Sequence, residues 1–214
     1  MSSKKSIGYG LKFSSLNGLS LVISKILRGL VIPKLLAPAA YGLFSSIGLF
    51  TRYLNLFDFG AMAYFSKEVA KLDIDKKNSQ LKPLVDHTFS VLLIGVFLSS
   101  IVLIILGISY WDSENLFYKT AIFLLVPIFG LAKVREFYLC FLYSTGQYKN
   151  SALLSMTANY TLLLLVTIGI YFYSAIGGVI AMLISEIALF VLVLSVVDLR
   201  PQLVIDGHVI RRLK

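Results

Sequence analysis

Apolar positions in this chain come in long runs broken by short polar stretches. A bilayer core of ~30 Å needs about 20 mainly apolar residues per helix. On that ruler six runs qualify: residues 14–36, 42–66, 85–109, 116–143, 151–173 and 178–197. Strands of an outer-membrane barrel would alternate apolar and polar positions over about ten residues, and no run here does so. The expected fold class is therefore all-α, a polytopic membrane bundle of about six transmembrane helices. Pro33 and Pro127 fall inside runs, where each removes a backbone donor and is expected to kink its helix. Turn signals lie at residues 37–40, 111–115, 145–150 and 174–177. The expected organisation is an N-terminal segment (1–13), a membrane bundle (14–198) and a basic tail or linker (199–214), with no second soluble domain.

Composition agrees. The 214 residues are 57% hydrophobic and 14% charged, with a mean hydropathy of +0.83. A soluble domain averages about 45–50% apolar and roughly 25% charged residues. An ordinary soluble domain, a disordered chain and a disulfide scaffold are excluded, since Cys140 is the lone cysteine. Lys4 and Lys5 ahead of an apolar stretch mimic a secretory signal, but Lys25 and Arg28 interrupt that stretch. Ala37-x-Ala39 also lies too far along for cleavage, so the first run is expected to stay as a membrane helix.

The net charge of +9 matters through its placement. Lys4, Lys5 and Lys12 precede the first run; Lys67, Lys71, Lys76, Lys77 and Lys82 separate the second from the third. Lys149 separates the fourth from the fifth, and Arg200, Arg211, Arg212 and Lys214 follow the sixth. The opposite loops hold only Lys34 and Lys119, beside Asp112 and Glu114. The positive-inside rule puts both termini in the cytoplasm, with Tyr110 and Trp111 as an interfacial anchor on the outer side. The basic residues act as topology signals that also touch anionic lipid heads, and nucleic-acid binding is not expected.

Charges inside the runs carry the functional question, because each costs at least ~2.5–3.5 kcal/mol at a helix centre and so faces a bundle interior or a cavity. Run one holds Lys25 and Arg28, three apart and hence near one face. Run two holds Arg52 and Asp58; run four, Lys133, Arg135 and Glu136; run six, Glu186. At a rise of ~1.5 Å per residue, Lys25 lies mid-run, Arg28 ~4–5 Å further out, and Arg52 level with that pair. Glu186 lies slightly outside the middle, while Lys133 and Arg135 sit ~5–8 Å toward the cytoplasm by the same count. One reading is a set of buried ion pairs that fix packing, with span-four bases snorkelling to the interface. The other is a cationic cavity for an anionic substrate, favoured by the excess of bases over acids; arginine grips a phosphate through its planar fork, lysine as a point charge. Small-residue stripes at Gly177, Ala181 and Ser185, and at Gly95 and Ser99, suit close helix packing.

Several chemistries lack their residues. His87 and His208 are the only histidines; with Cys140 they form no metal-ligand spacing. No phosphate-binding glycine loop and no nucleophile elbow occurs. Cys140 reads as a small apolar filler, and His87, beside Asp86, as an interfacial cap or hydrogen-bonding group. No enzyme activity and no cofactor are expected.

The stretch Ile26-Leu27-Arg28-Gly29-Leu30, through Pro33-Lys34-Leu35-Leu36-Ala37-Pro38-Ala39-Ala40, to Tyr41-Gly42-Leu43-Phe44 resembles the first outer loop of the Wzx-type oligosaccharide flippases of the MOP exporter superfamily. Asp58-Phe59-Gly60 resembles the Asp-Leu-Gly near the end of their second helix. Arg200-Pro201-Gln202-Leu203 with Arg211-Arg212-Leu213 resembles the linker after their sixth. The resemblance covers nearly the whole chain and implies one lobe of a MATE/MOP-like two-lobe transporter. It implies flipping of undecaprenyl-diphosphate-linked sugar units, for O-antigen or capsule, across a bacterial inner membrane. Its partners would be membrane lipid, a second six-helix lobe or a second copy, and polysaccharide polymerase machinery. On that expectation Lys25, Arg28 and Arg52 hold the diphosphate, Lys133 and Arg135 stand nearer the cytoplasmic entrance, and Glu186 or Asp58 couples to an ion. The rival readings are half of a MATE-type drug or cation exporter and a non-transporting membrane scaffold.

Overall fold

The computed structural model describes residues 3–72, 77–109, 116–197 and 199–203. Its elements are α1 (Ser3–Leu35), α2 (Pro38–Leu54), a 3-10 turn (Asn55–Asp58), α3 (Ala61–Lys71), α4 (Lys77–Ser109), α5 (Leu116–Ser144) and α6 (Tyr148–Val196). The chain is all-α, and four helices are long and apolar enough to cross a membrane: Lys12–Leu35, Gln80–Ser109, Phe117–Ser144 and Tyr148–Val196. It is a multi-pass membrane protein.

The fourth of these crosses twice. As one straight helix, 49 residues would reach about 74 Å, more than twice the bilayer core. The helix instead breaks at Tyr173 and Ser174, whose φ/ψ values are −131/18° and 57/−148°, at the start of the expected turn. The two arms fold back so closely that a methyl group on Gly177 would overlap the Gly169 carbonyl oxygen. Gly177 thus supplies close approach, as small residues do between membrane helices.

Run two departs from the expected single helix. It divides into α2 and α3 because Phe59 and Gly60 both adopt left-handed conformations, with φ of 50° and 71°, which an α-helix cannot absorb. The broken segment rests on α4: the Phe57 carbonyl sits where Gly95 would carry a side chain, and Ser99 turns its hydroxyl back onto the Gly95 carbonyl. Counting α2 and α3 as one broken segment and the two arms of α6 as two, the described residues form six helical segments. Pro38 opens α2, where its missing N–H costs nothing, and Ala37 before it is extended, at φ −58° and ψ 151°. Helix α5 stops at a Schellman turn: Gly146, at φ 84°, lets Gln147 N–H reach the Leu142 carbonyl and Gly146 N–H that of Tyr143. Helices α1 and α5 run through Pro33 and Pro127 without losing their helical assignment.

We call the end where α1 begins and α6 finishes proximal, and the end with the α1–α2 turn and the tip of α6 distal. Distally one apolar cluster joins Ile32, Phe44, Ile47, Leu103, Ile122, Leu125, Val166, Ile170 and Val179 from five helices. Proximally there are two smaller clusters, one around Phe65, Val85, Leu92 and Phe137, the other around Tyr138, Leu142, Leu154 and Val193. Residues 199–203 fold back on that end: Tyr138 donates to the Leu199 carbonyl at 3.3 Å, and Gln202 N–H to Asp86 Oδ1 at 2.8 Å. The Tyr110–Trp111 anchor, Asp112, Glu114, Lys76 and the tail beyond Leu203, with His208, Arg211, Arg212 and Lys214, lie outside the described residues.

Candidate functional site

Charges from the apolar runs gather in two places and leave two bases on the outside. The first gathering joins α1, α5 and α6. Arg135 donates from Nε to Glu186 Oε2 at 2.9 Å and from Nη2 to Oε1 at 3.1 Å, a bidentate pair whose side chains are 15% and 6% exposed. Two parallel charge-assisted bonds fix both groups in angle as well as distance. Arg28 lies within electrostatic reach of the same carboxylate, and its Nε is buried with no acceptor. Two guanidinium groups therefore share one acid.

Around this group the interface is polar. On α1, Ser20, Ser24, Arg28 and Ile32 recur every fourth residue as the inward stripe, and α6 is the main neighbour of that helix. On α6, Ser185 is fully buried and Asn159 contributes a buried amide nitrogen. Asn159 is level with Glu186, because the first lies ten residues before Gly169 and the second nine after Gly177, where the arms touch.

The second gathering joins the break of the second crossing to α5. Lys133 donates from Nζ to Glu136 Oε2 at 2.9 Å and stands 5.7 Å above the Phe129 ring, within cation–π range. Asp58 lies within electrostatic reach of Lys133 and Glu136, and its Oδ1 is buried without a donor. No side-chain cap from Asp58 onto the helix end forms.

Lys25 and Arg52 are exposed on the bundle surface, and neither has an ion-pair partner among the described residues. The structure thus brings Arg28, Arg135 and Glu186 together, and Lys133 with Glu136 and Asp58, but does not bury Lys25 beside Arg28. Three residues set the two bases ~60° apart; the inward stripe passes through Arg28, leaving Lys25 on the open side.

Two features escaped the sequence reading. Cys140 is no inert filler: its sulfur lies 3.2 Å from Ser66 Oγ, which also accepts from Ser144 at 3.2 Å, so α3 and α5 are clasped by small polar groups. His87, read as a cap or hydrogen-bonding group, has a buried Nδ1 without a partner, whereas its neighbour Asp86 holds residue 202. Spacing alone offered one usable signal, the recurrence of polar groups at 20, 24 and 28. Among the described residues, no cluster of histidine, cysteine or acids that could hold a metal occurs.

No family model and no curated protein matches the chain. Solved structures do. One is a MOP superfamily transporter from Pyrococcus furiosus Vc1 (DSM3638), described by a binding pocket of reversed polarity that suggests a different function; it is 15% identical, with a TM-score of 0.65. Another is a multidrug resistance MATE family transporter of the MOP superfamily in an outward-facing conformation, 14% identical, with a TM-score of 0.65. All of this chain is covered in both, and 51% of each transporter. The chain has the fold of half a MOP transporter. At these identities the likeness concerns fold alone. This chain spans about half the length of the transporters it matches.

Proposed function

We propose that this MOP half-fold is one lobe of an alternating-access flippase that moves a lipid-diphosphate-linked oligosaccharide, an O-antigen or capsule repeat unit, between leaflets of a bacterial inner membrane. In this reading both termini are cytoplasmic. A second six-helix lobe or a second copy completes the cleft, and a polysaccharide polymerase takes the product. Rocking of two such units around a shared site gives alternating access.

The observation that carries the reading is the excess of bases. Lys25, Arg28, Arg52, Lys133 and Arg135 face only Asp58, Glu136 and Glu186. Arg135 and Lys133 are neutralised locally, so the net positive charge falls to Arg28, Lys25 and Arg52. Lys25 and Arg52 are exposed on the bundle; at membrane depth each would cost ~2.5–3.5 kcal/mol against lipid. The surfaces that carry them therefore belong against a polar cleft, where a diphosphate supplies the counter-charge. Arg135 and Lys133 then order the framework nearer the entrance, and Glu186 or Asp58 is the ion-coupling acid.

A second reading, half of a drug or cation exporter, draws on the equal TM-score to a multidrug transporter. The sign of the unpaired charge speaks against it, since an organic cation calls for acids. In vesicles carrying the protein, a fluorescent prenyl-diphosphate sugar should change leaflets, and Lys25→Ala with Arg52→Ala should slow it at least tenfold. Export of a lipophilic cation dye with no lipid flipping would favour the second reading, and neither activity would favour a scaffold.

A further inference from the structure

We infer that the first arm of α6 carries a docking surface for phospholipid headgroups at each end, two aromatic collars that seat the bundle in the bilayer with Glu186 at mid-depth. The inference rests on the membrane-embedded fold alone and holds whatever substrate the cleft accepts.

At the distal collar Tyr171, Phe172 and Tyr173 stand 71%, 68% and 75% exposed. Their rings contact one another in sequence, at centroid distances of 5.2 and 6.5 Å. Two opposed requirements fix their surroundings. Tyr173 and Ser174 break the helix on the exposed surface, and lipid-exposed non-helical backbone does not occur within hydrocarbon, where its polar groups find no partners. Three large rings in bulk water, for their part, forgo the burial that aromatic side chains gain. The headgroup layer meets both demands: it wets the backbone and the tyrosine hydroxyls while it covers the ring faces. No ionic anchor serves instead, since no charged residue occurs between Lys149 and Glu186.

At the proximal collar Tyr143 and Tyr148 meet edge-on at 5.2 Å, across the exposed turn at Gly146 and Gln147. Lys149 follows, also exposed, and a cation beside interfacial tyrosines suits the phosphate of a lipid head. The spacing of the collars selects the bilayer as their occupant. From Tyr148 to Tyr171 and Tyr173 the helix rises about 35–38 Å. That exceeds the ~30 Å hydrocarbon core and falls short of the ~40–45 Å that includes both headgroup layers, so each collar lies in one interface. A protein covering the tip has no reason to reproduce that distance. Asn159, level with Glu186, lies eleven residues past Tyr148 and twelve before Tyr171, which sets the level of Glu186 midway between the interfaces.

The test is depth-dependent quenching of single tryptophans in phosphatidylcholine vesicles. Trp111 is the lone tryptophan, so Trp111→Phe gives a dark background. Into it go, one at a time, Phe172→Trp, Tyr173→Trp, Tyr143→Trp and Tyr160→Trp, the last beside Asn159 and 39% exposed. Monodisperse elution confirms folding, and two distal reporters guard against the loss of one. Lipids brominated high on the acyl chain should quench the three collar reporters at least threefold more than lipids brominated at the chain end, and the order should invert for Tyr160→Trp. At either collar, quenching by aqueous iodide alone would put the rings in water, and quenching mainly by chain-end bromine would sink them in hydrocarbon. Blue-shifted emission that neither quencher reaches would mean that protein covers them. Each of these results overturns the inference, as does shallow quenching of Tyr160→Trp.

Discussion

The distal half of the bundle is held by one continuous apolar cluster drawn from five helices. The proximal half is held by two smaller clusters, and the charges of Arg28, Arg135, Glu186, Lys133 and Asp58 lie between the two ends, most of them within about one helical turn of a residue of the distal cluster. Between membrane helices, burial from water adds little driving force, so packing and polar contacts decide cohesion. The distal half uses packing: Gly169 against Gly177, and Leu125 and Ile122 without exposed surface. The middle relies on directed charge pairs, Arg135 with Glu186 and Lys133 with Glu136.

Substitutions can break that contrast. The largest effect is expected from Glu186→Ala, which leaves Arg135 buried and Arg28 without its nearest acid; the loss should be about 3–5 kcal/mol, read as a fall in thermal unfolding temperature in detergent. Replacing Arg135 and Glu186 together with methionine should cost less than Glu186→Ala alone, because no new unpaired charge is left at Arg135. Next comes Leu125→Ala distally, at about 2 kcal/mol, the low end for a buried leucine because the water-transfer part is missing in lipid. Gly177→Ala should cost about 1–2 kcal/mol by forcing the α6 arms apart, detectable as faster proteolysis at residues 173–174. The smallest effect belongs to Ser66→Ala in the Ser66–Cys140–Ser144 clasp, about 0.6 kcal/mol, typical of interhelical hydrogen bonds in a bilayer. If Leu125→Ala outweighs Glu186→Ala, charge pairing does not hold the middle of the bundle.

Much of the fold was legible in the residues, because the number of crossings follows from run length and a 20-residue requirement. The break at residues 59–60 was not, since Leu54, Leu56, Phe57 and Phe59 keep the run apolar while two left-handed residues end the helix. Hydropathy responds to side chains, and this break lies in the backbone. The depths of Arg28 and Glu186 could be counted, and their proximity fits the count. Which side of α1 faces inward could not be counted, because it depends on how α6 packs; the four-residue recurrence of Ser20, Ser24 and Arg28 was the only sign of it. The pairing of Arg135 with Glu186, 51 positions apart, likewise needed the fold.

The central claim is that Lys25 and Arg52 hold a diphosphate. Titrating the protein in nanodiscs with undecaprenyl diphosphate, and with undecaprenol as the uncharged control, tests it most directly. Diphosphate should bind in preference to the alcohol, and Lys25→Ala with Arg52→Ala should weaken it at least tenfold, about 1.4 kcal/mol or more, with undecaprenol unaffected. Equal affinity for the two lipids, or a double variant that binds diphosphate like the parent, would contradict the account.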